Sequence, residues 1–168
     1  MLAALKGVRI VLCRLLEAAL IVAVLVLVLD VLWGVFTRKV LGDQAQWSEE
    51  LARFLLIWVS LLGGAVAFGE KAHLGVDYFV GLLAPEARRF MAVVSHVIVL
   101  VFAVTIFMIG GLTIVMDNLA MGQTTPALNL KMGHVYLALP IAGVFIILFA
   151  VEQLLETVLD SVPRKEVE

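Results

Sequence analysis

The run Ala18-Ala19-Leu20-Ile21-Val22-Ala23-Val24-Leu25-Val26-Leu27-Val28-Leu29 decides the fold class. It carries no charge, no turn residue and no alternation of apolar with polar positions. A half-buried strand needs that alternation, and so does a strand of a membrane barrel. The apolar stretch extends on both sides, from roughly Ile10 to Phe36, which is ample length for a helix to cross a bilayer. Lys6, Arg9 and Arg14 before it resemble the basic start of a signal peptide. No small-residue cleavage pattern follows, and Asp30-Val31-Leu32-Trp33 continues the helix, so the segment reads as an uncleaved anchor.

Three further apolar stretches follow, over about 51–68, 90–116 and 135–151. The composition agrees with four spans. The chain has 168 residues, of which 63% are hydrophobic and 15% charged, and its mean hydropathy is +1.11. A soluble domain is about 45–50% apolar and about 25% charged. The excess cannot be buried in one small core, which excludes a water-soluble fold and leaves no chain for a folded extramembrane domain. The sequence therefore predicts an all-α integral membrane protein, with residues 1–168 forming a single four-helix membrane domain. A net charge of −2 without a basic patch excludes nucleic acid as a partner. The lone cysteine, Cys13, excludes an intrachain disulfide and reads as a small buried or lipid-facing residue.

Lys and Arg set the direction of insertion. Lys6, Arg9, Arg14, Lys71, Arg88, Arg89, Arg164 and Lys165 share one side, against Arg38, Lys39, Arg53 and Lys131 on the other. This bias predicts cytoplasmic N- and C-termini, with connections 37–50 and 117–134 facing outward.

The connections carry more information than the spans. In Asp43-Gln44-Ala45-Gln46-Trp47-Ser48-Glu49-Glu50-Leu51-Ala52-Arg53, Asp43 and Gln46 have capping-box spacing and predict a helix start near Gln44. Glu49 and Arg53 stand at i,i+4 with the acid first, the favourable order, and Glu50 is close enough to share Arg53. Trp47, Phe54 and Trp58 form one aromatic stripe by spacing. Two readings stay open: an interfacial tryptophan belt beside a solvated ion pair, or a polar docking surface for another membrane subunit. Ser60, Gly63, Gly64 and Ala67 let a second helix approach closely, from this bundle or from a partner. Between spans 2 and 3, Val76–Leu83 is apolar but too short to cross, and predicts a short interfacial helix on the cytoplasmic side. His73 and Asp77 flank it at i,i+4, too few ligands for a metal site. Pro85 suits the first turn of span 3, and Pro140 predicts a bend and a freed carbonyl inside span 4.

Other chemistries fail on placement. His96 and His134 lie about 20 Å apart along the membrane normal, so they cannot ligate one haem iron. A self-sufficient carrier needs broken helices and a polar midplane site, and this midplane is aliphatic. Asp30, the main charge within a span, lies off centre and is available to pair with Arg53 or with a partner's cation. No catalytic constellation is present, so the chain reads as a non-catalytic accessory subunit with no cofactor of its own.

The segment Trp47-Ser48-Glu49-Glu50-Leu51-Ala52-Arg53, then Trp58, Gly63 and His73-Leu74-Gly75-Val76-Asp77, resembles the small membrane subunit of tripartite ATP-independent periplasmic (TRAP) transporters. Thr125-Pro126-Ala127-Leu128, Tyr136 and Leu139-Pro140 are similar to a second signature of that family. The resemblance implies a bacterial inner-membrane complex. A large elevator subunit would hold the sodium and substrate sites, and a periplasmic binding protein would deliver an organic acid. The small subunit would be a fixed scaffold. Its interface residues would be Trp47, Glu49, Glu50, Arg53, Trp58, Ser60, Gly63, Gly64 and Ala67, and membrane lipids would surround it. The reading from a different class is a free-standing four-span assembly factor or an accessory subunit of a membrane enzyme.

Overall fold

The computed structural model describes residues 2–43, 45–70 and 85–159. Helix α1 (Leu2–Phe36) runs into a π-helical turn, Thr37–Leu41, and ends at Gly42, whose φ of 78° lies in the left-handed region. Helix α2 (Gln46–Gly69) returns. The third passage is α3 (Pro85–Phe102), a π-helical segment Ala103–Gly110, and α4 (Gly111–Ala120). The fourth is a short α5 (Met132–Tyr136) and a long α6 (Ala138–Leu159). Among the described residues, four helical stretches, Arg9–Leu41, Gln46–Gly69, Arg89–Ala120 and Met132–Val158, are long and apolar enough to cross a membrane. The expected interfacial helix over 76–83, with His73 and Asp77, lies outside the described residues.

One end of the bundle, the loop end, carries the α1–α2 and α4–α5 connections. The other, the terminal end, carries Arg9, Glu70, Arg89 and Val158. Helix α1 packs on α2, α2 on α6, and α3 with its π segment on α6. The core lies between α1, α2 and α6, where Leu16, Leu62, Val66 and Phe149 are buried together and Trp58 packs against them. Gly69 permits the close approach of α2 to α6, since a Cβ there would stand 2.8 Å from the Phe149 ring.

Helix α2 starts at Gln46, close to the expected position, but no side chain caps it. The Asp43–Gln46 box does not form. The chain instead leaves Gly42 left-handed and reaches α2 through an extended Ala45, whose carbonyl accepts the Ser48 N–H at 3.0 Å. Pro140 acts as expected. It has no N–H for the Tyr136 carbonyl, and the helix breaks at Leu137 between α5 and α6.

Candidate functional site

The polar residues of the loop end form two ties. The first joins α1 to α2. Ser48 Oγ–H is shared between Asp30 Oδ1 at 2.8 Å and the Asp30 carbonyl oxygen at 3.2 Å. Ser48 is 2% exposed and Asp30 6% exposed. Asp30 therefore pairs with a hydroxyl on the facing helix, not with Arg53. Its second oxygen, Oδ2, is buried without a hydrogen-bond partner.

The second tie joins α2 to the α4–α5 connection. That connection is a small closed loop. Thr124 and Lys131 form an antiparallel bridge, and Met132 N–H donates to Gln123 O at 2.9 Å. Inside it, the buried Thr125 donates its N–H to Leu130 O at 2.9 Å, while its carbonyl accepts Asn129 N–H at 3.1 Å. Thr125 Oγ1 accepts Leu130 N–H at 3.2 Å. Asn129 takes φ 51°, a left-handed conformation that asparagine tolerates better than most residues. Pro126, which has no N–H, starts the turn. The next two amides then point at one anion: Glu50 Oε1 and Oε2 accept Ala127 N–H at 3.1 and 3.2 Å, and Oε2 accepts Leu128 N–H at 3.0 Å. Successive amides converging on a carboxylate make strong, charge-assisted bonds. Glu50 thus serves the loop 77 residues away, and Arg53, which bonds Glu49 instead, still acts on the Glu50 carboxylate through its charge.

Arg53 bonds Glu49 Oε1 at 3.2 Å, the i,i+4 pair expected from spacing, with side chains 66% and 64% exposed. Beside it, a cavity of about 330 Å³ is bounded by Glu50, Arg53, Phe54, Thr125, Pro126 and Met132, among others. A second, almost wholly apolar cavity of about 260 Å³ is bounded by Phe54, Trp58, Leu130 and His134, among others. Phe54 is the wall between them. The aromatic stripe therefore divides: Trp47 is 42% exposed, Phe54 is buried and Trp58 is half-buried against the core.

The small residues divide as well. A Cβ built on Gly63 would stand 3.8 Å from Leu20 of α1, whereas nothing among the described residues lies within 4 Å of one built on Gly64. Ser60, Gly64 and Ala67 are exposed and continue the exposed line of Arg53 and Leu56 down α2. This line has helical spacing, so it is one open face of α2.

The terminal end is tied differently. Gln153, buried on α6, donates from Nε2 to the Phe68 carbonyl at 3.0 Å, and its Oε1 lies 3.0 Å from His96 Nε2. The other ring nitrogen of His96 meets the Ala92 carbonyl. Arg9 Nη1 lies 3.8 Å from Glu152 Oε1. Among the described residues, no group of three or more His, Cys, Asp or Glu side chains is placed to hold a metal ion.

The loop-end pattern of Ser48, Glu50 and the Thr125–Leu128 turn covers the two motifs by which the sequence resembles a transporter subunit. A family model described as tripartite ATP-independent periplasmic transporters, DctQ component, matches residues 27–160. The chain belongs to this TRAP small-subunit family. This TRAP small subunit is 30% identical over 122 residues to the sialic acid TRAP transporter small permease protein SiaQ of Vibrio cholerae, covering 73% of this chain and 69% of that protein. It is 30% identical over 102 residues to the C4-dicarboxylate TRAP transporter small permease protein DctQ of Rhodobacter capsulatus, covering 61% of this chain and 44% of that one. A 33% identical stretch of 98 residues, 58% of this chain, makes up only 15% of the isethionate TRAP transporter permease protein DctMQ of Oleidesulfovibrio alaskensis. The TRAP small subunit is thus a multi-pass membrane component of a transporter and not an enzyme.

Proposed function

We propose that this TRAP small subunit is the fixed scaffold of a sodium-coupled transporter in a bacterial inner membrane. Its termini face the cytoplasm, and the loop end faces the periplasm. Its partner is a large elevator subunit that holds the sodium ions and the substrate site. The substrate is an organic acid, a carboxylate delivered by a periplasmic binding protein. The relatives named for sialic acid and C4-dicarboxylate support that class.

The observation that carries the reading is the contrast between the two faces of α2. One face is tied to α1 through Ser48 and Asp30, and to the α4–α5 loop through Glu50. The other, through Arg53, Leu56, Ser60, Gly64 and Ala67, is open and lined with small residues. Small residues on an open helix face admit a second helix at close range. The polar ties hold the helices against one another while that face is occupied, as a static support for a moving partner requires.

Gly64→Leu tests the proposal. Its side chain enters open space, so the isolated chain should fold and insert as before. Copurification with the large subunit, and uptake by the reconstituted three-component system, should both be lost. Full copurification and uptake by this variant would remove the α2 face from the interface.

A further inference from the structure

At the terminal end, a cavity of about 220 Å³ lies between the start of α1 and the end of α2, bounded by Arg9, Ile10, Arg14, Glu17 and Glu70, among others. About 20 residues of helix cross a bilayer core of about 30 Å. Counted from Ala18, where the uncharged run begins, that core leaves Arg14 and Glu17 at the level of the lipid headgroups. The charges around the cavity are unevenly committed. Arg9 is turned to Glu152 on α6, at 3.8 Å. Among the described residues, the side chains of Arg14, Glu17 and Glu70 make no hydrogen bond or ion pair. Glu70 is also the C-cap of α2, where the helix dipole places negative charge and a cation is the favoured neighbour. Ile21 and Leu25, two and three turns further into the membrane on the Arg14 face of α1, are exposed apolar residues.

We propose that this cavity binds the headgroup of a zwitterionic phospholipid with a primary ammonium, phosphatidylethanolamine. The phosphate takes the Arg14 guanidinium. The ammonium, with three N–H donors, sits between the Glu17 and Glu70 carboxylates, beside the end of α2 where a cation is favoured. The acyl chains run from the headgroup level into the bilayer along Ile21 and Leu25. The uncommitted charges select the headgroup. Phosphatidylglycerol would bring its phosphate but no cation, leaving both carboxylates unanswered. Phosphatidylcholine carries a cation that cannot donate a hydrogen bond. The site uses none of the loop-end residues and stands whether or not α2 is the subunit interface.

The test is native mass spectrometry of the purified full-length chain. The chain is delipidated and then exposed to an equimolar mixture of phosphatidylethanolamine, phosphatidylcholine and phosphatidylglycerol. Wild type should retain phosphatidylethanolamine over each of the others by about tenfold, the worth of one charge-assisted hydrogen bond. Glu17→Gln with Glu70→Gln should erase that preference while phospholipid is still retained. Arg14→Gln should lower retention of all three. Circular dichroism reports whether each variant is folded, and Arg14→Lys, which keeps a cation, should restore retention. Equal retention of the three lipids by wild type, a preference for phosphatidylglycerol, or an unchanged pattern in the double glutamine variant would each overturn the proposal.

Discussion

Ser48→Ala isolates one buried oxygen whose removal has a calculable cost. Ser48 is 2% exposed, so no water can replace its hydroxyl, and alanine changes the packing by a single atom. The hydroxyl donates to Asp30 Oδ1 at 2.8 Å, and Asp30 Oδ2 already has no hydrogen-bond partner. After the substitution the Asp30 side chain has no donor at all. A buried acceptor stripped of its donor costs about 1–3 kcal/mol, more when it is charged. Asp30→Ala is not the mirror image. It removes the buried carboxyl itself, and the Ser48 hydroxyl keeps the backbone carbonyl of residue 30, now at 3.2 Å. The expected order is therefore Ser48→Ala more destabilising than Asp30→Ala, with the double variant better than the sum by about 1–2 kcal/mol. The assay is reversible unfolding of the purified full-length chain in detergent, closed as a double-mutant cycle. Strict additivity, or a Ser48→Ala variant within about 0.5 kcal/mol of wild type, would refute the reasoning.

Glu50→Ala should release the loop. Backbone amide exchange at Ala127 and Leu128 should quicken, with no change around Phe68 and Gln153, and equal exchange in wild type and variant would sink the tie. Arg53→Ala should leave the isolated chain within about 0.5 kcal/mol of wild type, because its pair with Glu49 is exposed. The same change should weaken assembly with the large subunit, whereas Arg164→Ala should do neither; normal complex yield for Arg53→Ala would return the pair to solvent. Gly69→Leu should destabilise by about 1–3 kcal/mol through the clash with Phe149, read as a lower thermal midpoint of the purified chain. In a Cys13→Ser background, a cysteine at Gln123 should label with an impermeant reagent added outside, and one at Val162 should not; the reverse would invert the topology.

What was legible in the residues was local or bulk. Span number followed from run length and hydropathy, because no soluble or barrel fold tolerates four unalternating apolar runs. The Glu49–Arg53 pair followed from i,i+4 spacing within one helix. Pro140 broke its helix for a covalent reason that no context removes. The partners of Asp30 and Glu50 were not legible, because they lie 18 and 77 residues away and neither periodicity nor composition encodes which loop amide meets which carboxylate. Capping-box spacing at Asp43 and Gln46 misled for a related reason. The left-handed Gly42 and the extended Ala45 fix how the chain enters α2, so a local signal lost to the geometry of the hairpin. A usable signal for the Glu50 tie was nonetheless present. Thr125-Pro126-Ala127-Leu128 combines a turn-setting proline with two following amides and no acidic residue of its own. Such a loop needs an anion from elsewhere, and Asp117 is committed by position to the end of α4. That leaves Asp43, Glu49 and Glu50 as acids on the facing connection, and Glu49 is already matched in register with Arg53. Reading donors that lack local acceptors, rather than charges that have local partners, would have narrowed the choice to Asp43 and Glu50 before any coordinates, and helix α2 presents only Glu50 on the loop side.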